Sequence, residues 1–584
     1  MKEISRTKTV GGYVKPQLLL MFGIMIIKFT GTLAELLLPS LLTHMVDDIA
    51  PREAVGEMFL FGAIMILCSV IALVCNVAAN RSASKVASGI TRQVRHDVYE
   101  KTISLSCEET DRFTVPTLIS RLTSDTYNVH NMLLMVQRIG VRAPILAIGG
   151  VIMTSLLDPV LTLVLVGLMP IVFISVFIIS RVGIRLYERV QKNADGMVSM
   201  LREHMEGVRV IKALSKTEYE KNRFGEINSS IYRTERKAGI VTGFSGPVLN
   251  LFLNLGLVAV IVIGAYRVSN ELMEPGVILA FLSYFTIILN AMMMINRIFI
   301  NLTKGLASAN RINEVLTAPV EKDADGVDFV PGDSHIEFEN VSFSYLKKSN
   351  NIDSLSFKLK KGQTLGIIGA TGSGKTTIVN LLLRFYRPDS GKVRIDGKNI
   401  NTIPRAELYG RFGSALQTDF LMSDTIFENI RFERDISEEE ATKAAVSAMA
   451  DSFIKEKSDG YNHMLNVKAA NLSGGQKQRL LITRALASSP EILIMDDSCG
   501  GLDYKTDSML RKNMRDNYAE CTKVIVAQRI STVRQSDLII VMEDGKVAGM
   551  GKHEELMENC DIYRETANAQ MEIEEKVMAE GGMA

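Results

Sequence analysis

Six apolar stretches of membrane-spanning length lie in the N-terminal half of the chain, at 18–42, 58–79, 138–157, 160–180, 244–265 and 277–300. A helix that crosses a bilayer needs about 20 mostly apolar residues, so each stretch predicts a span. The first carries Lys28 and Glu35 and is the least uniform. Asp158-Pro159 predicts a hard turn that makes a tight hairpin of the third and fourth spans. Between spans two and three, and again between four and five, run long charged stretches, 81–137 and 181–243. These keep apolar residues at helical intervals, which predicts helices that run far beyond the bilayer and return.

Charge orients this pattern. Arg81, Lys85, Arg92, Arg95 and Lys101 follow the second span, and Arg181, Arg185, Arg189 and Lys192 follow the fourth. The loop 44–57 has one Arg against four acidic residues. The positive-inside rule then places both termini and both long loops in the cytoplasm of a multi-pass cell-membrane protein. The basic N-terminal stretch, 1–15, has no short apolar core or cleavage pattern, so no removable signal peptide is expected.

After Leu316 the pattern changes. Residues 317–334 are polar, with Pro319 and Pro331, and read as a linker between a membrane region, 1–316, and a second domain, 335–572. There, strand-like and helix-like segments alternate, as in an α/β nucleotide-binding domain. Residues 573–584 read as a frayed tail. An all-α polytopic membrane domain followed by an α/β domain is the expected fold. A hydrophobic fraction of 47% in 584 residues suits such a chain, half membrane and half soluble. The net charge of +1 gives no electrostatic reason to bind nucleic acid. Six scattered cysteines lack metal-ligand spacing and read as reduced thiols.

The second domain carries the chemistry. Gly369-Ala370-Thr371-Gly372-Ser373-Gly374-Lys375-Thr376 fits the P-loop pattern, with a buried-strand run before it and a helix beginning at Thr377. Glycines let backbone N–H groups turn toward phosphate oxygens. Lys375 reaches the β and γ phosphates, and Thr376 offers a hydroxyl to Mg²⁺. Leu472-Ser473-Gly474-Gly475-Gln476 opens a helix whose exposed N–H groups suit an anion. Behind it stands the acidic strand end Ile492-Leu493-Ile494-Met495-Asp496-Asp497.

Together these motifs and the six spans resemble a half-transporter of the ABC exporter type, over nearly the whole chain. The resemblance implies ATP and Mg²⁺ as ligands, with Tyr345 against adenine and Gln417 as the Q-loop glutamine near Mg²⁺. It implies Asp496 as a Mg²⁺ holder through water. Leu472, Ser473, Gly474, Gly475 and Gln476, at the position of the family's signature motif, would contact the partner's ATP, and Asp503 would stand in the D-loop. It assigns coupling helices to 105–114 and 211–223. The expected partners are a second ABC half, the lipid bilayer and a small substrate, with no nucleic acid.

The departures from the family are sharper still. Hydrolytic members carry Glu after the Asp of this strand, and this chain carries Asp497. A carboxylate retracted by about one C–C bond, ~1.5 Å, holds an attacking water less well. Where the family carries His, Val526-Ala527-Gln528-Arg529 places Gln528, which does not titrate. Gly500-Gly501-Leu502-Asp503 replaces the common Ser-Ala-Leu-Asp. A degenerate catalytic site beside an intact signature points to one half of a heterodimer. A homodimer with slow hydrolysis and an ATP-gated, non-transporting regulator are the alternatives. In the membrane half, Lys28, Glu35, Asn290, Met293, Asn296 and Arg297 are candidates for a substrate cavity, since polar groups in spans need protein, water or ligand beside them.

Overall fold

The computed structural model describes residues 9–570, apart from Lys322, Asp325, Thr418 and Cys499 and the side chains of Val176, Ser180, Leu249, Asn296 and Tyr504. The expected tail therefore lies outside the described residues. The chain forms two compact units. One holds the described residues up to Ser104 together with Phe113–Ala318, and the other holds Leu105–Arg112 with the described residues from Pro319 onward.

The first unit is helical, and among the described residues six helices are long and apolar enough to cross a membrane. Val55–Ile103 runs 49 residues and Pro159–Glu206 runs 48. At about 1.5 Å per residue each is roughly 70 Å long, more than twice a hydrocarbon core of ~30 Å. The burial pattern changes along Val55–Ile103. In its apolar half Val70, Leu73 and Val74 face outward, as lipid contact requires. In its charged half Ala79, Ala83, Val86, Ile90, Val94 and Val98 are buried at three- and four-residue spacing. One helix thus serves two solvents, with the buried stripe carrying it beyond the bilayer.

The Asp158-Pro159 turn has a defined cause. The Asp158 carboxylate caps the next helix by accepting from the N–H groups of Val160 at 2.8 Å and Leu161 at 2.9 Å. Pro159 takes the first helical position, where its missing N–H costs nothing. Arg267 Nε donates to the other oxygen of Asp158 at 3.0 Å. The stretch 211–223, expected as one coupling helix, is instead divided. Val208–Ala213 ends at Ser215, whose φ of 53° is left-handed, and Thr217–Gly243 begins after it. Lys216 N donates back to Ile211 O at 2.9 Å, the closure that ends helices when one residue turns left-handed.

Among the described residues the second unit contains two sheets. A four-stranded antiparallel sheet has the order β2-β1-β4-β5, formed by β1 (Ile336–Phe343), β2 (Ile352–Leu359), β4 (Ser390–Ile395) and β5 (Lys398–Asn399). A six-stranded sheet has the order β10-β9-β3-β8-β7-β6. Its strands are β3 (Thr364–Gly369), β6 (Phe412–Ala415), β7 (Ile492–Asp496), β8 (Thr522–Val526), β9 (Leu538–Glu543) and β10 (Lys546–Gly551). All its pairings are parallel except β9 with β10. Every residue of β7 and β8 is buried, as expected of parallel strands covered on both faces. Their C-terminal ends therefore carry their polar residues together at one rim.

Candidate functional site: an ATP site at the strand ends

Strand register assembles the site. Val526 pairs with Ile367 on one side and with Asp496 on the other. Ala527 N then donates to Ile367 O at 3.1 Å, and Asp497 N donates to Val526 O at 3.0 Å. Gln528, one residue further on, must emerge between the end of β3 and Asp497. Gln417 leaves the end of β6, and a cleft of about 610 Å³ brings Gln417, Asp497 and Gln528 together.

Residues 370–374 form the loop between β3 and the helix Lys375–Leu382. Gly374 precedes that helix with φ 101°, and a Cβ there would stand 2.7 Å from the Asn351 carbonyl oxygen, so only glycine fits. Thr371 and Gly372 are exposed, whereas Ser373 and Thr377 are buried. Lys375 donates to the carbonyls of Gly369 at 2.8 Å and Ala370 at 2.7 Å. Burial pushes its ammonium pKa down, and Asp497 and Asp496 oppose that shift.

Asp496 is 1% exposed, and both carboxylate oxygens are buried without a hydrogen bond among the described residues. Burial pushes its carboxyl pKa up. The Thr376 hydroxyl alongside draws it part of the way back, and Asp497 adds to the rise. Two buried oxygens with no partner beside a hydroxyl fit Mg²⁺, a hard cation that takes one or two carboxylates together with substrate phosphates. Thr376 and Asp496 would hold it, with Gln417 on the same rim. The ion, when bound, neutralises charge on the β and γ phosphates.

The two departing positions touch. Gln528 Nε2 donates to Asp497 Oδ2 at 2.8 Å. Asp497 has a left-handed φ of 49°, a conformation that a short Asp tolerates better than most residues. Its other oxygen lies 3.2 Å from where a Cβ on Gly500 would stand, and a Cβ on Gly501 would stand 2.7 Å from Gln478 Oε1. The unusual Gly500-Gly501 pair thus makes room for Asp497 and for Gln478 on the signature helix.

Ser473 caps that helix, Gly474–Leu486, in a reciprocal box: Gln476 N donates to Ser473 Oγ at 3.3 Å, and Ser473 N donates to Gln476 Oε1 at 3.0 Å. Ser473 and Gly474 are exposed, Gly475 and Gln476 half-buried, and Leu472 anchors the motif in the core. Asp503 caps Tyr504–Asn517 by accepting from Thr506 N at 3.1 Å.

Tyr345 is 38% exposed and held from three sides. Its hydroxyl accepts from Asn380 Nδ2 at 3.0 Å, and its ring meets Phe343 and Tyr386 edge-on at 4.8 and 4.9 Å. Tyr386 in turn donates its hydroxyl to Asp111 of the segment 105–112. Sequence patterns gave no sign of Tyr386 or of Gln570. Gln570 Oε1 accepts from Ile530 N at 2.7 Å, and its Nε2 donates to Gln528 O at 2.9 Å. One side-chain amide therefore fixes the backbone on both sides of Arg529.

In the membrane region the polar ends of Lys28 and Glu35 are taken by neighbouring helices. Lys28, 3% exposed, donates to Asn80 Oδ1 at 3.2 Å. Arg142 holds both oxygens of Glu35, at 2.7 and 2.9 Å. Asn290 and Arg297 are exposed and Met293 is half-buried; the Asn296 side chain lies outside the described residues.

Comparison with known proteins agrees with this architecture. Residues 21–292 match the family described as ABC transporter transmembrane region, and residues 352–500 match the family described as ABC transporter. An uncharacterized ABC transporter ATP-binding protein of Mycobacterium tuberculosis is 31% identical over 571 residues, 96% of this chain and 97% of the relative. The ABC transporter ATP-binding protein YfiB of Bacillus subtilis is 31% identical over 560 residues, with the same coverage of 96% and 97%. The solved structure of a bacterial Atm1-family ABC exporter with ATP bound shares the fold, with a TM-score of 0.77 at 22% identity over 95% of this chain and 98% of that one. The chain belongs to the ABC transporter family, with a helical membrane domain of six candidate spans among the described residues followed by an α/β ATP-binding domain, and it shares the fold of an ABC exporter.

Proposed function

We propose that this chain is the degenerate-site half of a heterodimeric ABC exporter that moves a small amphipathic or hydrophobic substrate across the cell membrane. One observation carries the reading: the 2.8 Å hydrogen bond from Gln528 to Asp497. The two positions that should orient water and meet the γ-phosphate satisfy each other. A glutamine amide cannot take up or release a proton at neutral pH, and a bonded, retracted carboxylate is a poor water-positioning group. The binding parts (Lys375, Thr376, Asp496 and the loop glycines) are complete in sequence.

In head-to-tail closure, this chain's P-loop, Asp497 and Gln528 face the partner's signature, and its own Ser473–Gln476 faces the partner's P-loop. Two copies of this chain would form two weak sites. A partner with Glu and His at the corresponding positions would give one weak site and one competent site. The basic residues after spans two and four support a cytoplasmic ATPase domain.

The test is ATPase and transport by the chain alone and after co-expression with candidate second halves. The proposal expects Mg·ATP binding with slow turnover alone, and full turnover with substrate movement only in a mixed complex. Rapid hydrolysis by the lone chain overturns it.

A further inference from the structure

A second cluster lies at the opposite strand ends, away from the nucleotide site. His335 leads into β1, and its side chain is 1% exposed. Its Nδ1 shares a 2.7 Å hydrogen bond with Thr522 Oγ1. That hydroxyl also accepts from Gly362 N at 3.0 Å, so the ring is held in one orientation. Nε2 is buried and has no hydrogen-bond partner among the described residues. A buried polar nitrogen left in this way is costly unless something takes it up.

What Nε2 faces is acidic. Asp396 Oδ1 lies 3.8 Å away, and Glu491 completes a set whose three ligand atoms all lie within 4.8 Å of one another. We propose that His335, Asp396 and Glu491 form a binding site for one divalent transition-metal ion, best suited to zinc. Zinc takes imidazole nitrogen and carboxylate oxygen at about 2.0–2.2 Å in tetrahedral geometry, which separates neighbouring ligand atoms by roughly 3.3 Å. The present separations need only small carboxylate movements. Both carboxylates are about half exposed, at 50% and 48%, so they can move and the ion has a path in.

The surroundings fit that role. Arg411 donates to Asp396 Oδ2 at 2.7 Å and lies 3.7 Å from Glu491 Oε2, which aims the two groups while leaving Asp396 Oδ1 toward His335. Three protein ligands leave the fourth position to water. Arg411, paired with Asp396 at 2.7 Å, offsets part of the carboxylate charge. The affinity expected is therefore modest, in the micromolar range rather than that of a thiolate site. His335 immediately precedes β1 and Asp396 sits in the turn between β4 and β5 of the four-stranded sheet, and Glu491 leads into β7 of the other. A bound ion would clamp the two sheets together.

The experiment is zinc titration of the full-length chain in lipid nanodiscs, with chelator-buffered Zn²⁺ and then Co²⁺, whose visible absorption reports nitrogen and oxygen ligands. The wild type should bind one equivalent that is weakened at least tenfold in His335→Gln, Asp396→Asn and Glu491→Gln. Thermal unfolding should rise with Zn²⁺ in the wild type and not in the variants. His96→Ala, which removes the exposed cluster of His96, Asp97 and Glu100, should leave that equivalent intact. If His335→Gln does not fold, the two half-exposed carboxylate variants decide alone. Zinc isotherms for Asp396→Asn and Glu491→Gln that superimpose on the wild type overturn the proposal.

Discussion

The side-chain amide of Gln528 donates a 2.8 Å hydrogen bond to Oδ2 of Asp497. The sequence shows two separate departures at these positions, and the structure joins them into one. A hydrogen bond to a charged group is worth about 1.5–3 kcal/mol, toward the lower end here because the pair is exposed. Gly500 makes room for the other oxygen of Asp497, so the D-loop departure belongs to the same adjustment.

The signature should matter to the partner's site rather than to this one. Gly474 is exposed at the start of its helix, and no atom lies within 4 Å of where a Cβ would stand. Gly474→Asp is therefore expected to leave folding intact while placing a carboxylate against the partner's γ-phosphate. ATPase of the mixed complex should fall about 100-fold or more, as when a transition-state contact is lost. Unchanged ATPase contradicts this use of the signature.

Gln570 should act through backbone position. Gln570→Ala removes the acceptor for Ile530 N and the donor to Gln528 O. Hydrogen exchange at residues 528–530 should speed up, while the melting temperature should change little because Gln570 is only half-buried and the change removes no apolar packing. Gln570→Glu keeps the acceptor and loses the donor, so it should protect the Ile530 amide but not restore the rest. Unchanged exchange in Gln570→Ala would show that the clamp is not formed in solution.

The raised carboxyl of Asp496 gives a pH dependence with a definite sign. In the folded state the neutral form is favoured by burial and by Asp497. Folding is thus opposed above that raised pKa, and the opposition is relieved as pH falls. Mg²⁺ needs the ionised form, so its binding should weaken as pH falls, from a higher pH than for an exposed aspartate, and should release a proton where that carboxyl is still partly protonated. Asp497→Asn removes one cause of the rise and should move the onset lower. Asp496→Asn should remove the component altogether. Calorimetry of Mg·ATP binding in buffers of different ionisation enthalpy measures the proton release.

Tyr386 joins Tyr345 to Asp111 of the segment 105–112. Tyr386→Phe keeps the ring contact and deletes the hydroxyl. ATP affinity should change by less than about twofold, while substrate moved per ATP should fall roughly fivefold or more, the scale of a coupling interaction. Equal losses in both would assign Tyr386 to ATP binding alone.

The fold class was legible because apolar runs of span length and buried parallel strands are local signals. The strand, loop and helix around Lys375 follow from residues adjacent in sequence. The pairing of Gln528 with Asp497 was not legible, because only the register of β7, β3 and β8 brings them together. Gln570 lies 42 residues from Gln528, and Tyr386 lies 275 from Asp111, distances that no periodic pattern reports. The break at Ser215 carries neither Gly nor Pro, so the sequence of 211–223 reads through it. Lys28 and Glu35 share a face through their seven-residue spacing, but nothing local reveals that Asn80 and Arg142 take up their charged ends.

The central claim is that this site binds ATP and is relieved of turnover by Asp497 and Gln528. Steady-state ATPase of the purified chain alone tests it, comparing the wild type with the double substitution Asp497→Glu and Gln528→His. Two copies of the chain can supply intact signatures to each other, so the comparison needs no second half. The wild type should bind Mg·ATP and turn over far below the ~10 per second typical of enzymes. The double substitution should raise the rate at least tenfold, given the 10²–10⁴-fold usually contributed by a positioned acid or base. Adding Lys375→Ala should abolish the gain. A wild-type rate already near ~10 per second, or no gain from the double substitution in a dimer that binds ATP, contradicts the account.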